Sequence, residues 1–177
     1  MGGLDGLVNA AGVAPASPAA SIALDPYAEV MAVNMRDTFL TNQAVFPHLQ
    51  DRGGRIINFA SSAGVTGYSG KAHYAAAKGA VLAWTRSLAR EWACYGITAN
   101  AIAPAIWTPM YDWTRSGMTP EQLARHDAQM AVNIPLGGRL GDPVKDFAPM
   151  MVFLAGSGAA FLTGQTYCID GGLLMPA

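Results

Sequence analysis

Apolar and polar positions fall into blocks that switch between a strand pattern and a helix pattern. Leu4 to Asn9 is a short apolar run closed by Ala-Gly, the pattern of a buried strand. The Ala-, Pro- and Ser-rich stretch that follows, to Ala23, predicts a loop at the ligand end of a sheet. Asp25 before Pro26 is an N-cap and first-turn signal. "YAEVMAVNMRDTFLTNQAVFPHL" then keeps helical spacing to Leu49, as one long helix or as two joined near Asn34. "DRGG" breaks that pattern, and "RIINFA" supplies a β-branched strand. The loop "SSAGVTGYSGKA" and a helix from His73 to Tyr95, ended by Gly96, come next. "ITANAIA" is a third strand, and "PAIWTPMYDWTRSG" reads as a long aromatic-bearing loop of the kind that carries function. A short helix follows from Pro120 to Val132, Asp142-Pro143 caps another to Ala155, and "GQTYCID" is a last strand. Strands apolar on both faces and alternating with helices predict an α/β fold, a parallel sheet covered by helices on both sides, in one domain over residues 1–177.

Composition removes several function classes. With 51% apolar and 13% charged residues the chain is too apolar for disorder. A net charge of −1 and scattered Lys and Arg leave no stripe for nucleic acid. Cys94 and Cys168 lie far apart in apolar stretches without metal spacing, which predicts buried free thiols, a reducing compartment and hence the cytoplasm. No signal-like start or bilayer-length apolar run is present, so no membrane partner is expected. His48 and His126 are expected on the surface, no H-x-x-x-H occurs, and no metal is predicted.

The chemistry lies around the second strand. Tyr74 and Lys78, four residues apart on a helix, share a face with Lys one turn beyond Tyr. A nearby ammonium favours the phenolate, so the pair is expected to exchange a proton with a substrate oxygen near neutral pH. Y-x-x-x-K alone is a weak signal. Ser61, at the end of the "RIINFA" strand, strengthens it, because that end of a parallel sheet presents ligand-binding groups and a hydroxyl there can stabilise charge on a carbonyl oxygen. Asn34 adds an amide within a run of Val and Met, where it needs a partner such as a water.

Taken in order, "VNAAG", "AVNMRDTF", "GRIINFASSAG", "HYAAAK", "ANAIAPAIWTPM" and "FLTGQTYCIDGG" resemble the short-chain dehydrogenase/reductase family over essentially the whole chain. The resemblance implies a Rossmann-type fold, NAD or NADP as cofactor, and interconversion of a secondary alcohol and a ketone. It implies a catalytic set of Asn34, Ser61, Tyr74 and Lys78. Tyr74 would be the general acid or base, Lys78 would tune it and bind the nicotinamide ribose, Ser61 would polarise the carbonyl, and Asn34 would hold a relay water. Ser61 is preferred over Ser62 because its interval to Tyr74 matches the family's. Asn9, Ala11 and Gly12 would border the cofactor, and Pro104, Ala105, Ile106 and Thr108 would cover the nicotinamide. A homodimer or homotetramer is implied for the full-length form. Ala105 in place of the usual Gly, Ala10 where Asn is commoner, and one extra Gly in "PLGGRLGDP" depart from the pattern without touching the catalytic set.

Other readings stand beside this one. His73 next to Tyr74 raises a serine hydrolase with Ser61, though no G-x-S-x-G surrounds that serine. Trp84, Leu88 and Trp92 recur every four residues, a stripe that fits core or subunit contact better than a ligand box. Trp107, Met110, Tyr111, Trp113 and Met118 fit a substrate lid or a simple apolar cover equally well, and Gly64 to Gly70 fits a flexible loop over the site. "MGGLDGLVNAAG" opens on what the family has as its fourth strand, so the expected fold is N-terminally truncated, lacking three strands and the glycine-rich pyrophosphate turn. On that reading Leu4 to Asn9 is a bare sheet edge and an aggregation hazard, and the chain alone is poorly stable and inactive. A non-catalytic remnant, or a subunit partner of a full-length relative, is the alternative.

Overall fold

The structure, a computed structural model, describes residues 3–175. It contains the strands β1 (Gly6–Asn9), β2 (Gly54–Phe59), β3 (Ile97–Pro104) and β4 (Thr166–Ile169), in the sheet order β1-β2-β3-β4. β1 with β2 and β2 with β3 pair in parallel. The helices are α1 (Leu24–Met31), α2 (Asp37–Leu49), α3 (Ser62–Thr66), α4 (Ala72–Glu91), α5 (Pro109–Ser116), α6 (Pro120–Asn133) and α7 (Ala148–Ala155). This is the expected parallel α/β, Rossmann-type arrangement.

Burial explains the order of the strands. Ile56 and Ile57 are neighbours whose side chains point to opposite faces of β2, and both are buried, so helices cover both faces there. In β3 every residue from Ile97 to Ala103 is buried. β1 departs from the buried strand that its apolar run predicts, since Val8 is 48% exposed. Its register with β2 sets Leu7 beside Ile56 and Asn9 beside Asn58, and its other edge has no strand partner among the described residues.

Helix spacing places the core. Val45, Leu49, Ile56, Leu88, Ala89, Ile97 and Ala99 form one cluster, with the Trp84 and Trp92 rings packed against it. The tryptophan stripe of α4 is therefore core packing. Trp84 meets Phe39 edge-on at 5.4 Å, and Phe46 meets Trp92 at 4.7 Å. α1 and α2 form one continuous helix joined by a π-helical turn, Ala32–Arg36, which resolves the choice left open at Asn34. The helix starts two residues earlier than its signal suggested. Ala23 is the N-cap, and Asp25 sits in the first turn, where its carboxylate faces the positive end of the helix.

Two further expectations are corrected. Cys94 is exposed, because it lies in the short 3₁₀ turn Ala93–Tyr95 between α4 and the left-handed Gly96. Ser62 to Thr66, expected within a flexible loop, is helical, as is Pro109 to Ser116 in the aromatic stretch. Caps account for both. The Ser61 hydroxyl accepts from the Ala63 amide, the Thr108 hydroxyl accepts from the Tyr111 amide, and Pro109 stands at a position where a helix tolerates it.

The chain divides into two units, one of residues up to Ala103 with Phe153–Tyr167 and one of Pro104–Val152 with the residues from Cys168 onward. In the second unit α5 and α6 are fastened side by side. The Tyr111 hydroxyl bonds His126 Nε2 at 2.6 Å, the Arg115 guanidinium pairs with the Asp127 carboxylate, and Trp107 Nε1 donates to Asp112 at 2.8 Å. Trp113 and Met110 stay largely outside that contact, 78% and 55% exposed. His126 is thus a structural partner, whereas His48 is on the surface as expected.

Candidate active site

β2, α3, α4 and the π-helical turn bring Asn34, Ser61, Tyr74 and Lys78 into the same unit. Ser61 follows the end of β2 in extended conformation and caps α3. Tyr74 lies in the first turn of α4, close enough to Ser61 for that hydroxyl to act on its phenol. Lys78, one turn on, is only 3% exposed; its Nζ donates to the Phe59 carbonyl at 2.8 Å and sits 5.9 Å from the Tyr74 ring centre. The strand end therefore holds both the serine and the lysine.

Burial dominates the electrostatics. It lowers the Lys78 ammonium from the ordinary 10.5 to about 8. It also raises the Tyr74 phenol above its ordinary value, and the nearby Ser61 hydroxyl offsets this only in part. The expected lowering of the phenol by lysine is not found in this state. The ammonium spends its close hydrogen bond on the Phe59 carbonyl rather than on the phenol, so desolvation wins. The resting phenol is neutral and is a proton donor.

Asn34 is fully buried at the π turn. Its Nδ2 donates to the Val13 carbonyl at 2.8 Å and to the Val30 carbonyl at 3.0 Å, while its Oδ1 is buried without a hydrogen-bond partner. Its backbone carbonyl accepts from the Thr38 hydroxyl at 3.0 Å. Gly12 is the key to what Oδ1 faces. A Cβ there would lie 2.8 Å from Asn34 Oδ1 and 3.4 Å from Lys78 Nζ, so only a glycine lets the loop lie this close to an unfilled acceptor and a cation. Such a cradle fits a hydroxyl-bearing group or a water.

Gly64 performs a second close approach. A Cβ on it would stand 2.6 Å from the Lys78 carbonyl carbon and 2.8 Å from the Gly79 nitrogen, so α3 rests directly on the backbone of the lysine turn. Gly64→Ala is expected to push α3 off α4, breaking the Ser61–Tyr74 contact, and to cost about 1–3 kcal/mol. A thermal or urea unfolding curve measures it; a variant as stable as the parent would show that the two helices separate freely.

The remaining expected residues fall differently. Asn9 Nδ2 donates to Asn58 Oδ1 and Asn9 Oδ1 accepts from the Thr41 hydroxyl, so its side chain is engaged in the fold. Ala11 and Gly12 are exposed in the loop after β1. In the second unit, the Ala105 amide donates to the Ile169 carbonyl, Ile106 bridges Gly141, and Thr108 caps α5. His73 is 2% exposed with neither ring nitrogen hydrogen-bonded, so no Ser–His pair supports a hydrolase. Among the described residues no group of three or more His, Cys, Asp or Glu could hold a metal, and no helix is long and apolar enough to cross a membrane. From the sequence Gly64 reads only as the start of a flexible loop and the Phe59 carbonyl is not singled out, because tight backbone approaches leave only the signature of a glycine or none at all.

The family model described as "Enoyl-(Acyl carrier protein) reductase" matches residues 1–174. The chain is 37% identical over 176 residues to 3-oxoacyl-(acyl-carrier-protein) reductase FabG of Vibrio cholerae, a match that covers 99% of the chain and 68% of that protein. It is 36% identical to the "Inactive 2-(S)-hydroxypropyl-CoM dehydrogenase 2" of Xanthobacter autotrophicus, covering 98% of the chain and 74% of the relative. It is also 36% identical to 2-(S)-hydroxypropyl-CoM dehydrogenase 3 of the same organism, covering 98% of the chain and 67% of the relative.

Proposed function

The chain belongs to the short-chain dehydrogenase/reductase family of oxidoreductases, and from that premise we propose that it interconverts a ketone and a secondary alcohol, with Tyr74 as the general acid or base. The observation that carries this reading is the shared placing of a neutral phenol close to the Ser61 hydroxyl and above a buried lysine held by the strand end. In the reductive direction Ser61 steadies the charge growing on the carbonyl oxygen, and the Tyr74 phenol delivers its proton to that oxygen. Lys78 restores the proton through the polar space beside Asn34 Oδ1.

The cofactor in this reading is NAD or NADP. The cradle formed by Gly12, Asn34 Oδ1 and Lys78 Nζ fits a hydroxyl-bearing group such as a nicotinamide ribose, and this fit supports Ala11, Gly12, Tyr74 and Lys78 as its neighbours. Asn9 would contribute through its backbone alone. Pro104, Ala105, Ile106 and Thr108 enter the proposal from the family resemblance. When bound, the nicotinamide supplies or accepts the hydride. The named reductase and dehydrogenase relatives support a small-molecule carbonyl or alcohol, including an acyl ketone, as substrate. A soluble cytoplasmic homodimer or homotetramer completes the proposal, supported by two free cysteines and by apolar surface such as Phe161 and Val152.

A second reading, a non-catalytic subunit, gains support from the relative whose name begins "Inactive". One assay separates the two. The purified chain is mixed with NADH or NADPH and a 3-oxoacyl thioester or a simple cyclic ketone, and cofactor oxidation is followed. Carbonyl-dependent oxidation that disappears in Tyr74→Phe supports the enzyme; a chain that is inactive with either cofactor and assembles with a full-length relative supports the subunit.

A further inference from the structure

A polar network with a buried centre joins β1, α2, β2 and α4. Its centre is Asn58 on β2, 0% exposed, in the middle of the apolar run "RIINFA". Asn58 Oδ1 accepts from Asn9 Nδ2 at 2.8 Å and from Asn42 Nδ2 at 3.2 Å. Asn58 Nδ2 donates to Asn42 Oδ1 at 3.1 Å and to Thr85 Oγ1 at 3.0 Å. A primary amide has two acceptor sites and two N–H donors, so this side chain is saturated.

The direction of every bond follows from one indole. Trp84 Nε1 only donates, so the Asn42 atom 3.1 Å from it is the oxygen. That turns Asn42 Nδ2 toward Asn58 and makes the receiving Asn58 atom Oδ1. Asn9 must then offer Nδ2, leaving its Oδ1 for the Thr41 hydroxyl at 2.7 Å. At the other end Thr85 gives its proton to the Val81 carbonyl at 2.8 Å and keeps a lone pair for Asn58. No member can be reversed without leaving two donors or two acceptors facing each other.

The consequence for the site is mechanical. α4 is pinned to β2 by two polar contacts seven residues apart, Lys78 Nζ on the Phe59 carbonyl and Thr85 on the adjacent Asn58. Two points on one face fix both the rotation of the helix about its axis and its slide along the strand. The same Asn58 holds Asn9, the last residue of β1, from which the loop runs to Val13, whose carbonyl takes Asn34 Nδ2. We propose that Asn58 and Thr85 are positioning residues for the reaction, setting α4 and the β1 loop to one reference so that Tyr74, Lys78 and Asn34 keep their mutual geometry. The role in turnover rests on the oxidoreductase reading above; the placing of Lys78 does not.

The test uses Thr85→Val, which keeps the shape and removes the acceptor, Thr85→Ser, which restores it, and Val45→Ala, which thins the apolar packing that α2 shares with α4 and leaves the polar contacts intact. The first readout is the pH titration of the Lys78 side chain by NMR in the cofactor-free protein, which needs no turnover. Loosened α4 lets water reach Nζ, so Thr85→Val is expected to move the Lys78 midpoint upward by about half a unit or more, while Thr85→Ser and Val45→Ala leave it in place. The second readout is kcat and KM for carbonyl reduction, where Thr85→Val is expected to lose about tenfold in kcat with KM little changed. A Lys78 titration in Thr85→Val identical to the parent, or one shifted equally by Val45→Ala, overturns the proposal. A shifted titration in a protein with no carbonyl reductase activity keeps the positioning role and overturns the oxidoreductase reading instead.

Discussion

Tyr74→Phe is expected to lower carbonyl reduction by about 10²–10⁴-fold, the usual contribution of a positioned general acid, with the fold intact. Phenylalanine fills the same space and gives up only the polar contact of the phenol near Ser61, a loss of about 1 kcal/mol or less in stability. The parent should also show a characteristic pH dependence. Its phenol is raised by burial and stays protonated through neutral pH, whereas Lys78 loses its proton near 8. Reduction is therefore expected to fall as pH rises through about 8, following the lysine that returns the proton rather than the tyrosine that gives it. A kcat–pH profile measures this. Turnover in Tyr74→Phe within a few-fold of the parent would remove Tyr74 from the chemistry.

Lys78→Met is expected to make the protein more stable and less active at once. The lysine is buried, and its ammonium falls from 10.5 to about 8, a difference of about 3 kcal/mol against the charged form. Methionine fits the same channel without a charge. It leaves the Phe59 carbonyl short of one donor, a loss of about 1 kcal/mol, so a net gain of about 1–3 kcal/mol is expected at pH 7. The sign with pH follows from linkage. Between about 8 and 10.5 the unfolded chain binds a proton at Lys78 that the folded chain has released, so the parent gains stability as pH rises through that window. The advantage of Lys78→Met should shrink over the same interval. Urea unfolding of both proteins at pH 7 and pH 10 measures it, and a methionine variant that is less stable at pH 7 would mean that the Phe59 hydrogen bond outweighs desolvation. Turnover is expected to fall by about 10²-fold or more, because proton return loses its donor. Stability spent on a buried cation is a common feature of active sites.

The amino-acid sequence by itself determined the alternation of strands and helices, because the apolar period of each block is a local property. Tyr74 and Lys78 were legible for the same reason: four residues on a helix define one face. Ser61 was legible from its place at a strand end, and the family motifs tied all four catalytic candidates together. Helix ends were less so. The α5 start at Thr108-Pro109 was passed over because aromatic residues there suggested a loop, although the cap signal was present. Cys94 was misplaced because apolar neighbours in sequence are no guide to burial at a helix end. Tertiary structure alone decided the rest. It set burial above charge at Tyr74, since desolvation depends on everything packed around a group and not on its nearest neighbour in the chain. It made Gly64 a contact surface for the lysine turn and Asn58 the meeting point of β1, α2 and α4. Those contacts join residues far apart in sequence, where periodicity carries no information, and only the packed fold brings their atoms within reach.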